Sequence, residues 1–100
     1  LLGFRLFNLI VLELNILNPK LIKISMKLSE LRDGEKGLII EVRGNSALKN
    51  RLLSMGIVRG AEIKMVRNAP LKDPIEFELK GYFLSLRRSE AENVIVEVKE

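Results

Sequence analysis

Carboxylates at alternating positions are the first groups in this chain whose spacing could support chemistry. Glu76 and Glu78 stand two apart, with Asp73 close before them. In an extended chain such side chains share one face, so the pair could hold a cation or transfer a proton. The same spacing is what the solvated face of an amphipathic strand requires. Ile75, Phe77 and Leu79 supply the opposite, apolar face, so the alternation accounts for both glutamates without a site. Ser46, Ser54, Ser85 and Ser89 carry hydroxyls, but the chain has no His to activate one. That removes a Ser–His nucleophile. There is no Cys either, which excludes disulfides, zinc ribbons and thiol catalysis. A metal site would rest on carboxylates, carbonyls or methionine sulfur, a donor set suited to hard cations rather than to selective capture of a transition metal. Met55 and Met65 read as gap-filling core residues. Gly56 and Gly60 enclose three residues, but the Lys-Ser/Thr pair of a phosphate-binding loop does not follow. These residues give no catalytic or metal site, and no cofactor is expected.

The elements that would carry a surface are clearer. Ala47 to Gly60 reads as a short helix with a defined stop. Leu48, Leu52 and Met55 fall at i, i+4 and i+7 and share one face. Lys49, Asn50 and Arg51 fall largely toward water. Ser46 or Asn45 can cap the start. Gly56 stands where a helix end wants a left-handed residue, with Ile57 placed to pack back on the last turn. Gly60 supplies a second turn into a strand.

Strands are expected on both sides of this unit. Gly37–Val42 alternates, with Leu38, Ile40 and Val42 set against Ile39, Glu41 and Arg43. Ala61–Arg67 places Ala61, Ile63 and Met65 on one face. Asn68 to Pro74, with two prolines, is a loop. Ile75–Lys80 alternates strictly, Gly81 makes a tight connection, and Tyr82–Arg87 puts Tyr82, Leu84 and Leu86 together. Ser89–Glu92 makes one helical turn with Ser89 as its cap. Val94–Val98 closes the chain with Val94, Val96 and Val98 on one face. The fold class is mainly β: a small, partly open barrel of about five strands, one short helix near 47–55 and a single helical turn near 89–92. Ile39, Val66, Phe83 and Ile95 are left on the outward side, where they either cover each other in a barrel seam or form a contact patch.

One hundred residues with 47% apolar content allow one small domain. The formal net charge is +4 with both signs spread along the chain. No basic run exceeds Arg87-Arg88, which reads as a solvated strand end. A nucleic-acid binder more often concentrates its cations and interleaves aromatics. Residues 1–25 stand apart. Leu1–Leu17 is strongly apolar but broken by Arg5, Asn8, Glu13 and Asn15, too short and too charged for a membrane span. It also lacks the basic start and cleavage site of a secretory signal. The expectation is that 1–25 is an extension outside the domain and that Met26 is its natural start; an amphipathic anchor is the alternative. Leaving out Arg5, Glu13, Lys20 and Lys23 lowers the net charge from +4 to +2. Alone, these residues describe a small β-barrel interaction module.

From Met26 onward the chain resembles the FeoA family, the small ferrous iron transport protein A. The resemblance is carried by Leu28-Ser29-Glu30-Leu31, Gly34-Glu35-Lys36-Gly37, Arg51-Leu52-Leu53-Ser54-Met55-Gly56-Ile57-Val58-Arg59-Gly60, Ala69 to Ile75, Gly81-Tyr82 and Leu86-Arg87-Arg88-Ser89-Glu90-Ala91. It implies an SH3-like domain over 26–100. It also implies a non-enzymatic cytoplasmic role in ferrous iron uptake, by contact with the GTP-binding domain of a FeoB-type permease that would bring the protein to the inner face of the membrane. The motif does not say which surface makes that contact. The outward side of the helix and its turn is the expected one, through Lys49, Arg51, Ser54 and Arg59, with Gly56 and Gly60 as structural turns. Neither nucleic-acid binding nor a membrane span of the domain's own is expected; an exposed strand edge would allow a weak homo-oligomer. The competing readings are an SH3-like module working with an iron-dependent regulator of the diphtheria-toxin-repressor class, a nucleic-acid-binding barrel, and a carboxylate-based enzyme.

Overall fold

The structure is a computed structural model that describes residues 23–68, 71 and 73–99. Residues 1–22, which hold most of the expected extension, and Ala69, Pro70 and Lys72 of the expected loop lie outside the described residues. Among the described residues six strands form one antiparallel sheet: β1 Lys23–Lys27, β2 Lys36–Val42, β3 Glu62–Arg67, β4 Ile75–Leu79, β5 Tyr82–Leu86 and β6 Val94–Lys99, in the order β1-β6-β2-β3-β4-β5. A 3-10 turn, Leu28–Glu30, follows β1. Helix α1, Ser46–Ser54, joins β2 to β3, and the short α2, Arg88–Ala91, joins β5 to β6.

β1 adds a strand to the five expected. Lys23, Ile24 and Ser25 pair with Lys99, Val98 and Glu97, so the sheet reaches three residues ahead of Met26. Its signal is modest: Ile24 and Met26 alternate with Lys23, Ser25 and Lys27, and both apolar side chains are only half-buried.

The core is aliphatic around one ring. Phe77, Leu28, Leu31, Ile39, Leu52 and Ile63 are wholly buried, joined by Met65, Leu79, Leu86 and Val96. Ala61 just before β3, Ile63 and Met65 on β3, Ile75, Phe77 and Leu79 on β4, and Leu84 and Leu86 on β5 all face inward, as alternation requires.

β2 has the opposite phase to that expected. Ile39 is fully buried and Leu38 is exposed. The run Leu38-Ile39-Ile40 is apolar on both faces, so alternation could not set the phase; packing does. Gly37 faces Val96 so closely that a Cβ there would lie 2.8 Å from the Val96 Cβ, which turns Gly37 and Ile39 inward together. A register shift between Ile39 and Glu41 then breaks the alternation, leaving Ile40 and Val42 half-buried. The outward apolar quartet dissolves with this. Ile39 is buried in the core, Ile95 is buried outside the core cluster between Val94 and Val96, Val66 is half-buried, and of the four only Phe83 is well exposed.

Candidate functional site

Helix α1 and the turn after it build the surface of interest. Asn45, not Ser46, is the cap: its side-chain oxygen accepts from the Leu48 N–H at 2.8 Å. Leu52 is buried, and Leu48 and Met55 pack against the core from the same face. The helix ends in a Schellman arrangement. The Ile57 N–H donates to the Leu52 carbonyl and the Gly56 N–H to the Leu53 carbonyl, both at 3.0 Å. Gly56 has φ +89°, and Ile57 is 1% exposed. The turn then fastens to the sheet. The Gly60 N–H donates to the Ile39 carbonyl at 2.7 Å, and the Ile39 N–H donates to the Ala61 carbonyl at 2.8 Å. From β5, the Tyr82 hydroxyl donates to the Met55 carbonyl. The position of this surface is therefore set by hydrogen bonds from β2 and β5.

The four expected contact residues do not form one patch. Lys49 and Arg59 border a shared groove between α1, its turn and β2. Arg51 points to α2, where its Nη1 meets Glu90 Oε2 at 2.6 Å. Glu90 is 7% exposed, and its other oxygen accepts from the Arg87 N–H at 2.9 Å. That bond caps α2, so the cap comes from Glu90 on Arg87 rather than from Ser89. Ser54 turns its hydroxyl onto the Arg51 carbonyl at 2.6 Å. Arg51 thus ties two elements together, while Lys49 and Arg59 stand at the groove.

Sequence reading missed this groove. Its volume is about 370 Å³ and its lining is mostly apolar, from Ile40, Val42, Leu53, Ile57 and Val58. Leu53 is 58% exposed and follows Lys49 by one helical turn, on the same side of α1. Glu41 is the carboxylate at the rim. The hydrogen bond from Arg43, 3.1 Å away, holds its carboxyl below the usual range; desolvation opposes it, and the charges of Arg43 and Lys49 add to the lowering. The signal available in sequence was Leu53 itself, an apolar residue off the core stripe of α1.

The remaining candidates are placed without a site. Glu76 is exposed and Glu78 half-buried on β4. Among the described residues no cluster of three or more acidic side chains is arranged to hold a metal. Met65 is wholly buried. The Arg88 amide donates to Asp73 at 2.9 Å, and its guanidinium donates to the Asn68 side chain at 3.0 Å. Asn68 is a second missed residue. Its side-chain NH₂ donates to the Leu31 and Ser29 carbonyls at 2.8 and 3.1 Å, joining the end of β3 to the 3-10 turn that follows β1. Among the described residues no helix is long and apolar enough to cross a membrane.

The comparisons agree with this architecture. A family model described as the FeoA domain matches residues 26–98. A Fe(2+) transport protein A/Fe(2+) transporter FeoB fusion protein of Porphyromonas gingivalis is 41% identical over 73 residues, 73% of this chain and 9% of that protein. The chain thus spans a small fraction of the fusion. A candidate Fe(2+) transport protein A of Campylobacter jejuni is 35% identical over 71 residues, 71% of this chain and 96% of that one. The crystal structure of Stenotrophomonas maltophilia FeoA with zinc, described as a prokaryotic SH3 domain protein, superposes with a TM-score of 0.61 at 32% identity, covering 71% of this chain and 88% of that one. The strands, the Schellman turn after α1 and these matches lead to one conclusion: the chain belongs to the FeoA family, and its fold is the SH3-like fold described for that family.

Proposed function

We propose that this protein is a non-enzymatic, cytoplasmic accessory of ferrous iron uptake that works by contact with the GTP-binding domain of a FeoB-type permease. The observation that carries the reading is the Porphyromonas fusion, where a matching segment shares one polypeptide with a FeoB transporter. Two partners that act together can be joined covalently without loss, because a linker raises their effective concentration. The acting unit is taken as 26–100, with Lys23–Ser25 paired along its edge. The contact face is the outer side of α1 and its turn, with Lys49 and Arg59 reaching the partner and Arg51 and Ser54 holding the helix end. Gly56 and Gly60 give the turn its shape. Chemistry fits a contact role: the chain lacks His and Cys, and among the described residues its acidic side chains form no group arranged to hold a metal.

Calorimetry of the full chain against the cytoplasmic part of the permease from the same cell, with and without a GTP analogue, tests the proposal. Saturable one-to-one binding is expected. Absence of heat in every nucleotide state, with both partners folded, would overturn it.

A further inference from the structure

We infer that the groove between α1 and β2 receives an acidic amphipathic segment of the partner: apolar side chains on its floor, carboxylates on Lys49 and Arg59. The inference rests on the contact reading above and deepens it by naming the chemistry of the bound segment.

Two observations join here. The floor is apolar and open, with Leu53 58% exposed although it stands on a packed helix. A side chain of this kind at a groove, surrounded by charge, is the anatomy of a contact centre and its rim. The charge at the rim is unbalanced. Among the described residues the side chains of Lys49 and Arg59 make no ion pair or hydrogen bond, and Lys49 acts on Glu41 only through its charge, whereas Glu41 is already engaged by Arg43 at 3.1 Å. Two cations outside any ion pair, beside an apolar floor, complement carboxylates that flank apolar residues. At about 370 Å³ the groove is at the small end of ligand clefts, room for a few side chains rather than a domain. Two cations without a stacking aromatic in the lining do not make a nucleic-acid track.

The test has two arms, both with the full chain. In the first, Leu53→Ser and the double variant Lys49→Glu/Arg59→Glu are titrated against the permease's cytoplasmic domain, with Ser85→Glu, exposed on β5, as a control outside the contact face. Each groove variant is expected to weaken binding at least tenfold, the charge reversal also to remove its salt dependence, and the control to stay within twofold. Wild-type binding with groove variants within twofold would overturn the groove and leave the contact reading intact. The second arm needs no permease. A 12-residue peptide of leucine pairs flanked by glutamates is titrated into the labelled chain and followed by amide NMR, beside its lysine counterpart. Shifts confined to Ile40, Val42, Leu53 and Val58 with the glutamate peptide alone are expected. No shifts, or equal shifts with both peptides, would overturn the inference even where the first arm found no binding. Shifts at the same residues on dilution, before peptide is added, would assign the groove to a second copy and overturn it too.

Discussion

Two glycines of the helix turn offer a matched pair in which strain is equal and surroundings differ. Gly56 has φ +89° and Gly60 φ +91°, so alanine at either meets the same left-handed backbone. That strain is about 1–2 kcal/mol, and the reduced freedom of the unfolded chain returns about 0.4–1 kcal/mol. Nothing lies within 4 Å of a Cβ built on Gly60, so Gly60→Ala is expected to cost about 1 kcal/mol. At Gly56 a Cβ would lie 2.6 Å from the Tyr82 hydroxyl and 3.3 Å from Leu79 Cδ2. The ring must swing out, losing the hydrogen bond to the Met55 carbonyl, about 1 kcal/mol, and some packing, about another 1 kcal/mol. Gly56→Ala should therefore cost about 3 kcal/mol, which is about 2 kcal/mol beyond Gly60→Ala. For a domain of this size that difference lowers Tm by roughly 8–16 °C more. The decisive variant is Gly56→Ala in a Tyr82→Phe background. Without the hydroxyl the nearest atoms are Leu79 Cδ2 at 3.3 Å and the ring carbon at 3.9 Å, so the cost should fall back to about 1–1.5 kcal/mol, a coupling of about 1.5–2 kcal/mol in a double-mutant cycle. Urea unfolding of the four proteins measures it. Equal costs at Gly56 and Gly60, or a Gly56→Ala cost unchanged by Tyr82→Phe, would refute the reasoning.

Three further outcomes follow from the polar links. Arg51→Ala strands most of the Glu90 carboxylate, whose side chain is 9% exposed while that of Arg51 is 56% exposed. Urea unfolding should show a loss of about 1–2 kcal/mol, reduced from the fully buried case because the guanidinium is half in water. Asn68→Asp replaces two N–H donations to the Ser29 and Leu31 carbonyls with a carboxylate facing them. It should cost more than Asn68→Ala, itself about 2 kcal/mol, as read from Tm. The Glu41 carboxyl should titrate below the usual carboxylate range by carbon-detected NMR, and Arg43→Gln should bring it back up, since the Arg43 hydrogen bond is the first cause of the shift. Because this folded-state pKa is depressed, the pair's contribution is present above the unfolded carboxylate pKa and fades as pH falls through the folded one.

Local periodicity carried much of this fold into view. The stripe Leu48, Leu52 and Met55, the left-handed Gly56 and the alternation of β3, β4 and β5 are all near-neighbour properties, and each is found in the structure. What local pattern could not carry is contact between distant residues. β2 was misphased because Leu38, Ile39 and Ile40 are apolar in succession, and the phase is fixed by Val96, far along the chain. The Arg51–Glu90 link and the Asn68 hub join segments separated by 39 residues. The groove needs Leu53 on a helix to stand beside Ile40 and Val42 on a strand, a juxtaposition only the fold creates. The four expected contact residues share the outward side of the helix and its turn, and exposure alone does not tell that Arg51 meets Glu90 on α2 while Lys49 and Arg59 border the groove with β2.

The claim of a partner on the α1 face is tested most directly by crosslinking in cells that make the intact permease. A photoreactive amino acid would replace Leu53 in the groove or, as a control, Ser85, exposed on β5. The account predicts a covalent adduct with the permease from position 53, lost with Lys49→Glu/Arg59→Glu, and little from position 85. An adduct from position 85 and none from 53 would contradict it.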